Sequence, residues 1–479
     1  MNNKSIWETF NIKVKSSNIK NELTTDILII GGGITGLSVA YFLKDSKEKI
    51  VLIDKGNIGS GITSKTTAKV SYLQGDIYNA LTNKFNENTA KLYLDSQKDA
   101  IKLMIDIINK NKIECDLKKT ASYLFTMKKD NIDKIIKEKE LLEKWNINVL
   151  DVVDKKIAKG IKVSDTYIIH PLKYLNVLVK EINKKIDIYE NVMAVKLTLE
   201  NNNYKVETNK GIIYAKKVVV ACHYPFFIIP NLIPLKTYIK REYVNVGKVD
   251  KEKDYTAINI DDNLLSIRYY NDYLIYTSNK HRLTSKIDYK ENYDKSREDY
   301  KKIFKKEPQY TWMNQDIMSN DNIPFIGKIK DNLYLLTAYN AWGMTNSTIG
   351  AKLVSDLIMN KKNKYEKLFD PNRINTSLIL ESILGSLHYM KAYSESLWKK
   401  NNPTYIEIKG IKYGIFTDNN GNHHTVSLIC PHAKCNLVFN REENTWDCPC
   451  HGSRFDVDGN VVKGPSCYNI KIDETTSES

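Results

Sequence analysis

The most sharply patterned stretch of the chain runs from Asp26 to Asp54. A short apolar, β-rich run ending at Ile30 leads into the glycine cluster GGGITG. The helix-compatible LSVAYFLK follows, and then a second apolar run, Ile50 to Ile53, that stops at Asp54. The predicted order is strand, glycine turn, helix, strand, acid. Gly31 permits the tight turn, Gly33 lets a pyrophosphate approach the backbone, and Gly36 lets helix and strand pack closely. The helix N-terminus, with Ile34 and Thr35 in its first turn, offers amides and a positive dipole end to phosphate. Asp54, about twenty residues on, is placed for ribose hydroxyls, with Lys55 beside it. The pattern predicts a dinucleotide-binding unit for an adenosine ribose without a phosphate of its own.

Beyond this unit, helical spacing of apolar residues predicts helices over Phe85 to Lys112 and Asn131 to Trp145, both as packing faces. From Ile186 to Ala221 the pattern turns to strands, with a turn at Asn201 to Asn203 and the run KKVVVAC at the end. A mixed block with aromatic-rich strands runs from Lys236 to Tyr310. The stretch NLYLLTAYNAWGMTNSTIGAKLVSDLI again reads strand, glycine-bearing turn, helix, ending at Met359. Residues 376–402 are expected to form a helical linker to a last module, and no internal repeat is present.

Length and composition fit this organisation. The 479 residues suggest about three domains, and 42% apolar with 27% charged residues describes an ordinary globular chain. The N-terminus lacks the apolar core of a signal peptide, and the run Ile27 to Leu43 is too short and too glycine-broken to span a bilayer. The cytoplasm, with no membrane partner, is the expectation. The 72 basic against 57 acidic residues give +15, but the lysines are scattered and form no stripe interleaved with aromatics, which argues against a nucleic-acid partner. Residues 402–479 differ: seven basic and ten acidic side chains give −3 there and leave +18 on the rest.

The same C-terminal piece concentrates the metal-ligating residue types. Of seven cysteines, Cys430, Cys435, Cys448, Cys450 and Cys467 lie in it, and of eight histidines His423, His424, His432 and His451 do. Cys115 and Cys222, isolated, read as small buried hydrophobes. His423 and His424 read as a polar turn, and Cys467 as a plain thiol. Cys430-Pro-His432 followed by Cys448-Pro-Cys450-His451 suits a cluster with two thiolates on one iron and two imidazoles on the other. Tetrahedral zinc on the same four residues is the alternative.

Between Thr25 and Met359 the chain resembles FAD-dependent oxidoreductases of the D-amino-acid oxidase and glycine oxidase class. The resemblance rests on the glycine fingerprint, on GSGITSKTTAK after Asp54, on KKVVVACHYPF, and on WMNQDIMSNDNIPFIG followed by TAYNAWGMTNST. It implies an α/β Rossmann-type FAD-binding domain with an interleaved α+β substrate domain. Together these span 1–375, with FAD-binding parts near 20–85, 150–225 and 311–370 and substrate-binding parts near 86–149 and 226–310. It further implies FAD contacts from Gly61, Thr63, Ser64, Thr66, Thr67 and Ala68, from Gly343, Met344, Thr345 and Asn346, and from Ala194 near the adenine. Ala338 stands where the family usually has glycine. No second dinucleotide fingerprint occurs in mid-chain, so the electrons are expected from an organic substrate such as an amine or amino acid. In amine-oxidising relatives an arginine holds the substrate carboxylate. Arg268 is the candidate here, with a structurally paired arginine as the other reading, and His281 and Tyr243 are further candidates. No catalytic base is named, since the cofactor carries the chemistry.

The C-terminal CPHAKC and CPCHGSRF resemble the two boxes of a Rieske 2Fe-2S domain, a small all-β module expected over 403–479. By that resemblance Cys430 and Cys448 hold one iron, His432 and His451 the other, and Cys435 and Cys450 form a disulfide joining the two loops. Gly464-Pro465 resembles the loop over the cluster. Ser453 stands where relatives donate a hydroxyl to a cluster sulfur, and Phe455 where high-potential versions have tyrosine, so a potential below the top of the roughly −150 to +300 mV Rieske range is expected. A Rieske-fed iron oxygenase is set aside, because only 28 residues, none histidine, follow His451. The combined expectation is an oxidoreductase that passes electrons from a small-molecule substrate through FAD and the cluster to an external acceptor. The alternative is an electron-transfer or redox-sensing protein reduced by a protein partner.

Overall fold

The computed structural model describes residues 4–16, 19, 21–226, 233–250, 253–262, 265–283, 288–374, 403–408, 410–418 and 420–471. The expected linker, 376–402, lies outside them.

The glycine-fingerprint pattern forms as its periodicity predicts. Strand Glu22–Ile30 pairs in parallel with Ile50–Ile53 on one side and Gly211–Val220 on the other, and helix Ile34–Leu43 crosses between the first two. Nearly every residue of that helix is buried, because it lies under helices Pro171–Ile182 and Gly343–Ile358 as well as on the sheet. A helix with apolar or small residues on every face suits such a place. Asp187–Tyr189 and Leu333–Thr337 extend the parallel order to both sides, Phe325–Lys330 closes one edge antiparallel, and hairpin Ala194–Glu200/Asn203–Thr208 pairs with the start of Gly211–Val220. Asn201 and Asn202, both at positive φ, make the turn of that hairpin.

A second, nine-stranded sheet stands against the first. Its path runs Tyr310–Ser319, Thr237–Lys248, Tyr273–Arg282, Ser266–Tyr270, Tyr255–Asn259, Lys118–Thr126, Lys159–Ile168 and Lys69–Val70, with Val149–Val152 alongside Lys159–Ile168. Lys159–Ile168 and Tyr310–Ser319 thus belong to this sheet, although both fall largely in segments expected to bind FAD. Helices Glu87–Lys110 and Ile132–Lys144 occupy the predicted stretches. A third helix, Tyr289–Phe304, lies in the block read only as mixed, with Tyr289, Tyr293, Ser296 and Tyr300 as its buried stripe.

The C-terminal module is all β. Thr404–Ile408, Ile411–Thr417 and His423–Ser427 form one antiparallel sheet, and Val438–Asn440, Thr445–Asp447, Arg454–Asp456 and Val461–Lys463 another, around a core that includes Trp446, Phe455, Phe439 and Leu428. No described helix is long and apolar enough to cross a membrane.

Candidate functional site

The glycine turn leaves room that side chains would fill. Gly31 sits at φ +115°, where an added Cβ would lie 2.6 Å from the Ala221 carbonyl oxygen, and a Cβ on Gly36 would overlap the Gly31 carbonyl. Gly33 differs from these two. It caps helix Ile34–Leu43 in extended backbone, φ −80° and ψ −172°, a conformation open to any residue, so the turn itself does not demand glycine there. Among the described residues a Cβ on Gly33 would meet Thr63 Oγ1 at 3.2 Å and nothing else within 4 Å, so the room it keeps fits a ligand's approach rather than a need of the chain's own packing. Asp54 is half-buried, and its carboxylate accepts from the Gly32 amide at 2.6 Å and the Gly56 amide at 2.8 Å. Burial raises the pKa of Asp54, against the pull of those two amides. Thr63 Oγ1 accepts from the Ile34 amide at 3.2 Å, so the GSGITSK loop folds onto the mouth of the phosphate-facing helix. Backbone of this kind, with room kept free at glycines, fits a pyrophosphate.

The remaining predicted FAD residues have mixed surroundings. Thr35 Oγ1 and Tyr339 OH lie 3.2 Å apart. Ser64 Oγ is engaged by the Gly61 carbonyl at 3.0 Å, and Thr66 Oγ1 accepts from the Ala68 amide at 3.0 Å. Gly343 and Met344 open helix Gly343–Ile358 and line a cavity, whereas the side chains of Thr345 and Asn346 face inward to Gln74 and Gln97. Ala338, Asn340 and Ala341 all have left-handed backbone, so the alanine keeps the conformation usual for glycine at some cost in strain. Lys55 and Ala194 lie toward the C-terminal module: Lys55 Nζ donates to the Val462 carbonyl at 3.1 Å, and Cys467 Sγ lies 3.4 Å from the Ala194 carbonyl.

Beside Gly343 opens a cavity of about 230 Å³, whose lining includes Thr66, Thr67, Trp342, Gly343 and Met344. Its charged lining is Lys69, Lys240 and Lys280, with Asp76 and Glu242. The three predicted catalytic residues are not among the lining. Arg268 is fully buried and donates to the carbonyls of Thr67, Ala68 (3.0 Å) and Ile169 (2.7 Å), with its guanidinium 5.0 Å from the Trp7 ring. It braces the backbone of the 66–68 loop, as in the structural alternative weighed from sequence, and is not among the residues that line the cavity. Tyr243 packs edge-on against Tyr293 at 4.7 Å, and His281 lies 5.7 Å from the Tyr243 ring, pushed down to about 4 by burial. What the sequence reading missed are the lysines. Lys240 and Glu242 stand two apart on Thr237–Lys248, and Lys280 lies on the neighbouring Tyr273–Arg282. Three consecutive charged residues, Lys240, Arg241 and Glu242, inside a central strand were the available signal.

In the C-terminal module two similar loops face each other. The Cys430 amide donates to the Cys435 carbonyl at 2.9 Å, and the Cys448 amide to the Ser453 carbonyl at 2.7 Å. Cys435 and Cys450 form the expected disulfide, S–S 1.99 Å. Cys430 and Cys448 are free and buried, and the rings of His432 and His451 lie 4.9 Å apart. Cys435, Cys448 and Cys450 bring their sulfurs within 4.8 Å of one another, but two of these are spent on the disulfide. The buried His432 Nδ1 has no hydrogen-bond partner, an arrangement that costs energy unless a ligand takes it up. Two buried thiols and two imidazoles on a pair of braced loops fit a histidine-ligated iron–sulfur cluster. Ser453 Oγ accepts from the Ser466 amide at 2.9 Å, and Phe455 is buried in the module core.

The two halves meet through buried polar contacts. Arg241, from the second sheet, donates to Asp447 at 2.9 Å, and both side chains are wholly inaccessible. Burial works to raise the pKa of Asp447, but Arg454 and Arg241 outweigh it and hold the carboxylate below its usual range. Gln315 Nε2 lies 3.3 Å from the Gly452 carbonyl, and Tyr293 donates to Glu443. The imidazoles of His432 and His451 approach the Tyr224 ring at 6.5 and 6.1 Å. Tyr224 lies three residues past Ala221, the residue that abuts Gly31.

A glycine-cradled Rossmann half, a second sheet and a two-loop Cys/His module together define a flavin-dependent oxidoreductase with an iron–sulfur module. Residues 26–357 match the family model FAD dependent oxidoreductase, to which the chain belongs, and residues 388–473 match that of the Rieske [2Fe-2S] domain; FAD and a 2Fe-2S cluster are its cofactors. Among relatives, the chain is 30% identical to YhfW of Bacillus subtilis, named as a Rieske 2Fe-2S iron-sulfur protein, over 97% of this chain and 96% of that one. It is 20% identical to gamma-glutamylputrescine oxidoreductase of Escherichia coli, over 73% and 87%. The fold is shared with glycine oxidase from Geobacillus kaustophilus, TM-score 0.64 at 14% identity, covering 74% of this chain and 100% of that one.

Proposed function

We propose that the chain oxidises the C–N group of an amine or amino acid in the Lys69-lined cavity and passes the electrons through its own iron–sulfur module to an external acceptor in the cytoplasm. The observation that carries the reading is the short stretch Ala221–Tyr224. At one end its backbone closes on the glycine cradle, and at the other Tyr224 meets both imidazoles of the module. The names of two relatives, an oxidoreductase of gamma-glutamylputrescine and a glycine oxidase, support an amine or amino acid as substrate.

FAD, when bound, supplies an acceptor for two electrons that can be released one at a time. The chain's own residues bind and orient. The amides at the start of helix Ile34–Leu43, and Gly343 and Met344 beside the cavity, would hold the cofactor, and Gly33 keeps the approach to the first helix open. Arg268 fixes the 66–68 backbone from behind. In this reading Cys430 and Cys448 hold one iron and His432 and His451 the other, with the Cys435–Cys450 disulfide tying the loops. Covalent connection of donor and acceptor sites keeps the effective concentration of one at the other high.

An anaerobic screen of amines and amino acids, following flavin bleaching and cluster reduction in the same spectra, tests this. A substrate that bleaches the flavin and then reduces the cluster is the expected result. Bleaching only by a reduced protein partner, never by a small molecule, would replace this reading with the electron-transfer alternative.

A further inference from the structure

Lys69 is buried at 7% exposure, and its ammonium donates to the Ala257 carbonyl at 3.3 Å and to Ser266 Oγ. Both partners are neutral. Lys240, half-buried on the strand carrying Glu242, forms no ion pair among the described residues, and its ammonium stands 5.7 Å from the Tyr238 ring. Both lysines line the cavity beside Gly343. Of the other charged lining groups, Lys280 and Glu242 face one another at 3.8 Å, and Asp76 occupies the N-cap position of helix Ile77–Lys84, where the helix dipole favours a negative charge. The cavity therefore has two ammoniums with no carboxylate among the described residues within ion-pair distance; Glu242 acts on both only from farther off, and its ion pair is with Lys280. A buried cation in that condition is costly. The cost shows in both groups: against the pull of Glu242, burial pushes Lys69 down to about 7, and burial with the nearby Lys280 and Arg282 pushes Lys240 down to about 8.

We propose that Lys69 and Lys240 are the carboxylate-holding pair of this cavity, so that its substrate is an amine that also bears a carboxylate rather than a simple amine or polyamine. The proposal rests on the functional reading above and narrows it. The charges support it. Three lysines against Glu242 and Asp76 leave the lining one positive charge in excess. An amino acid in its reactive form, with the amine uncharged and the carboxylate ionised, carries one negative charge and neutralises it. A diamine adds positive charge to a site that already has too much. The arginine expected to fill this role is spent on backbone carbonyls, which leaves the task to side chains on Lys69–Val70 and Thr237–Lys248. Lys69 and Lys240 hold and orient the substrate and act on the reacting carbon only through that placement.

The test uses the FAD-loaded full chain, three unreactive or slowly reacting four-carbon probes, and no turnover. Butyrate, butyramide and butylamine are titrated anaerobically, and binding is read from the flavin absorption spectrum and the melting temperature. A charge-assisted contact of typical strength predicts that butyrate binds about ten- to a hundred-fold tighter than butyramide, with butylamine weakest. Lys69→Met and Lys240→Met should each remove most of that preference while leaving butyramide affinity and FAD content unchanged, and Lys240→Arg should restore it. If Lys69→Met does not fold, Lys240→Met and its arginine counterpart carry the comparison alone. Equal affinity for butyrate and butyramide, no binding of butyrate, or a preference that survives in Lys240→Met overturns the proposal. Because no oxidation is required, a protein that prefers butyrate but oxidises nothing in the screen would sink the functional reading and not this one.

Discussion

Removing the Arg241 guanidinium isolates the contact that joins the two halves. Arg241 and Asp447 are both wholly inaccessible, 2.9 Å apart, and breaking a buried pair by deleting one partner costs about 3–5 kcal/mol. Here the loss is softened. In Arg241→Met, Asp447 still accepts from Arg454 Nε at 3.1 Å and Thr445 Oγ1 at 2.8 Å, so about 2–3 kcal/mol is expected, part of it from Gln315 Oε1, which loses the donor it now has at 3.0 Å. Asp447→Asn leaves two arginines facing a neutral amide and should cost more. For a module of this size, about 2 kcal/mol lowers melting by about 10 °C, readable as thermal loss of the cluster's visible absorption. Ionic strength discriminates further. An acidic module on a basic partner suggests pairing by net charge, which salt weakens; a pair without solvent access is screened far less. The difference between wild type and Arg241→Met should persist from about 0.05 M to about 0.5 M salt. Melting of the variant within about 2 °C of wild type, or a difference that vanishes at high salt, would refute the buried joint.

Three further outcomes follow from the geometry. Gly36→Ala places a methyl group on the Gly31 carbonyl and should yield protein that purifies without FAD; full flavin content in this variant would contradict the cradle. His170, whose Nδ1 accepts from the Lys173 amide at 3.3 Å at the start of helix Pro171–Ile182, is pushed down to about 4 by burial. The unfolded chain therefore takes up the proton first, stability falls as pH drops below about 6.5, and the loss reaches about 2 kcal/mol at pH 5. Urea unfolding at pH 7 and pH 5 should show His170→Asn losing less than wild type, and identical losses would argue against this. Ser453→Ala removes a hydroxyl placed beside the Cys430 thiol and should lower the cluster midpoint in a redox titration; an unchanged or raised midpoint would deny the serine that role.

What could be read from the chain was what lies close together in it. The glycine turn, its helix and Asp54 span fewer than thirty residues, and the two Cys/His loops are each a few residues long, so their chemistry survives as local pattern. The cavity does not. Lys69, Lys240 and Lys280 come from three separated strands, and only the register of Thr237–Lys248 against Tyr273–Arg282 brings two of them together. Arg268 shows the converse. A lone arginine in a strand has the same local signature whether it meets a ligand or three carbonyls, and burial alone decides. Helix Tyr289–Phe304 escaped because tyrosine rings, not aliphatic residues, form its buried stripe amid lysine and asparagine.

Asp447, which anchors the module to Arg241, immediately precedes Cys448 in the chain. Whatever loosens the loop that begins at Cys448 therefore slackens the joint as well. A disturbance at that end of the loop is thus carried by one covalent bond to the carboxylate that grips a guanidinium of the other half.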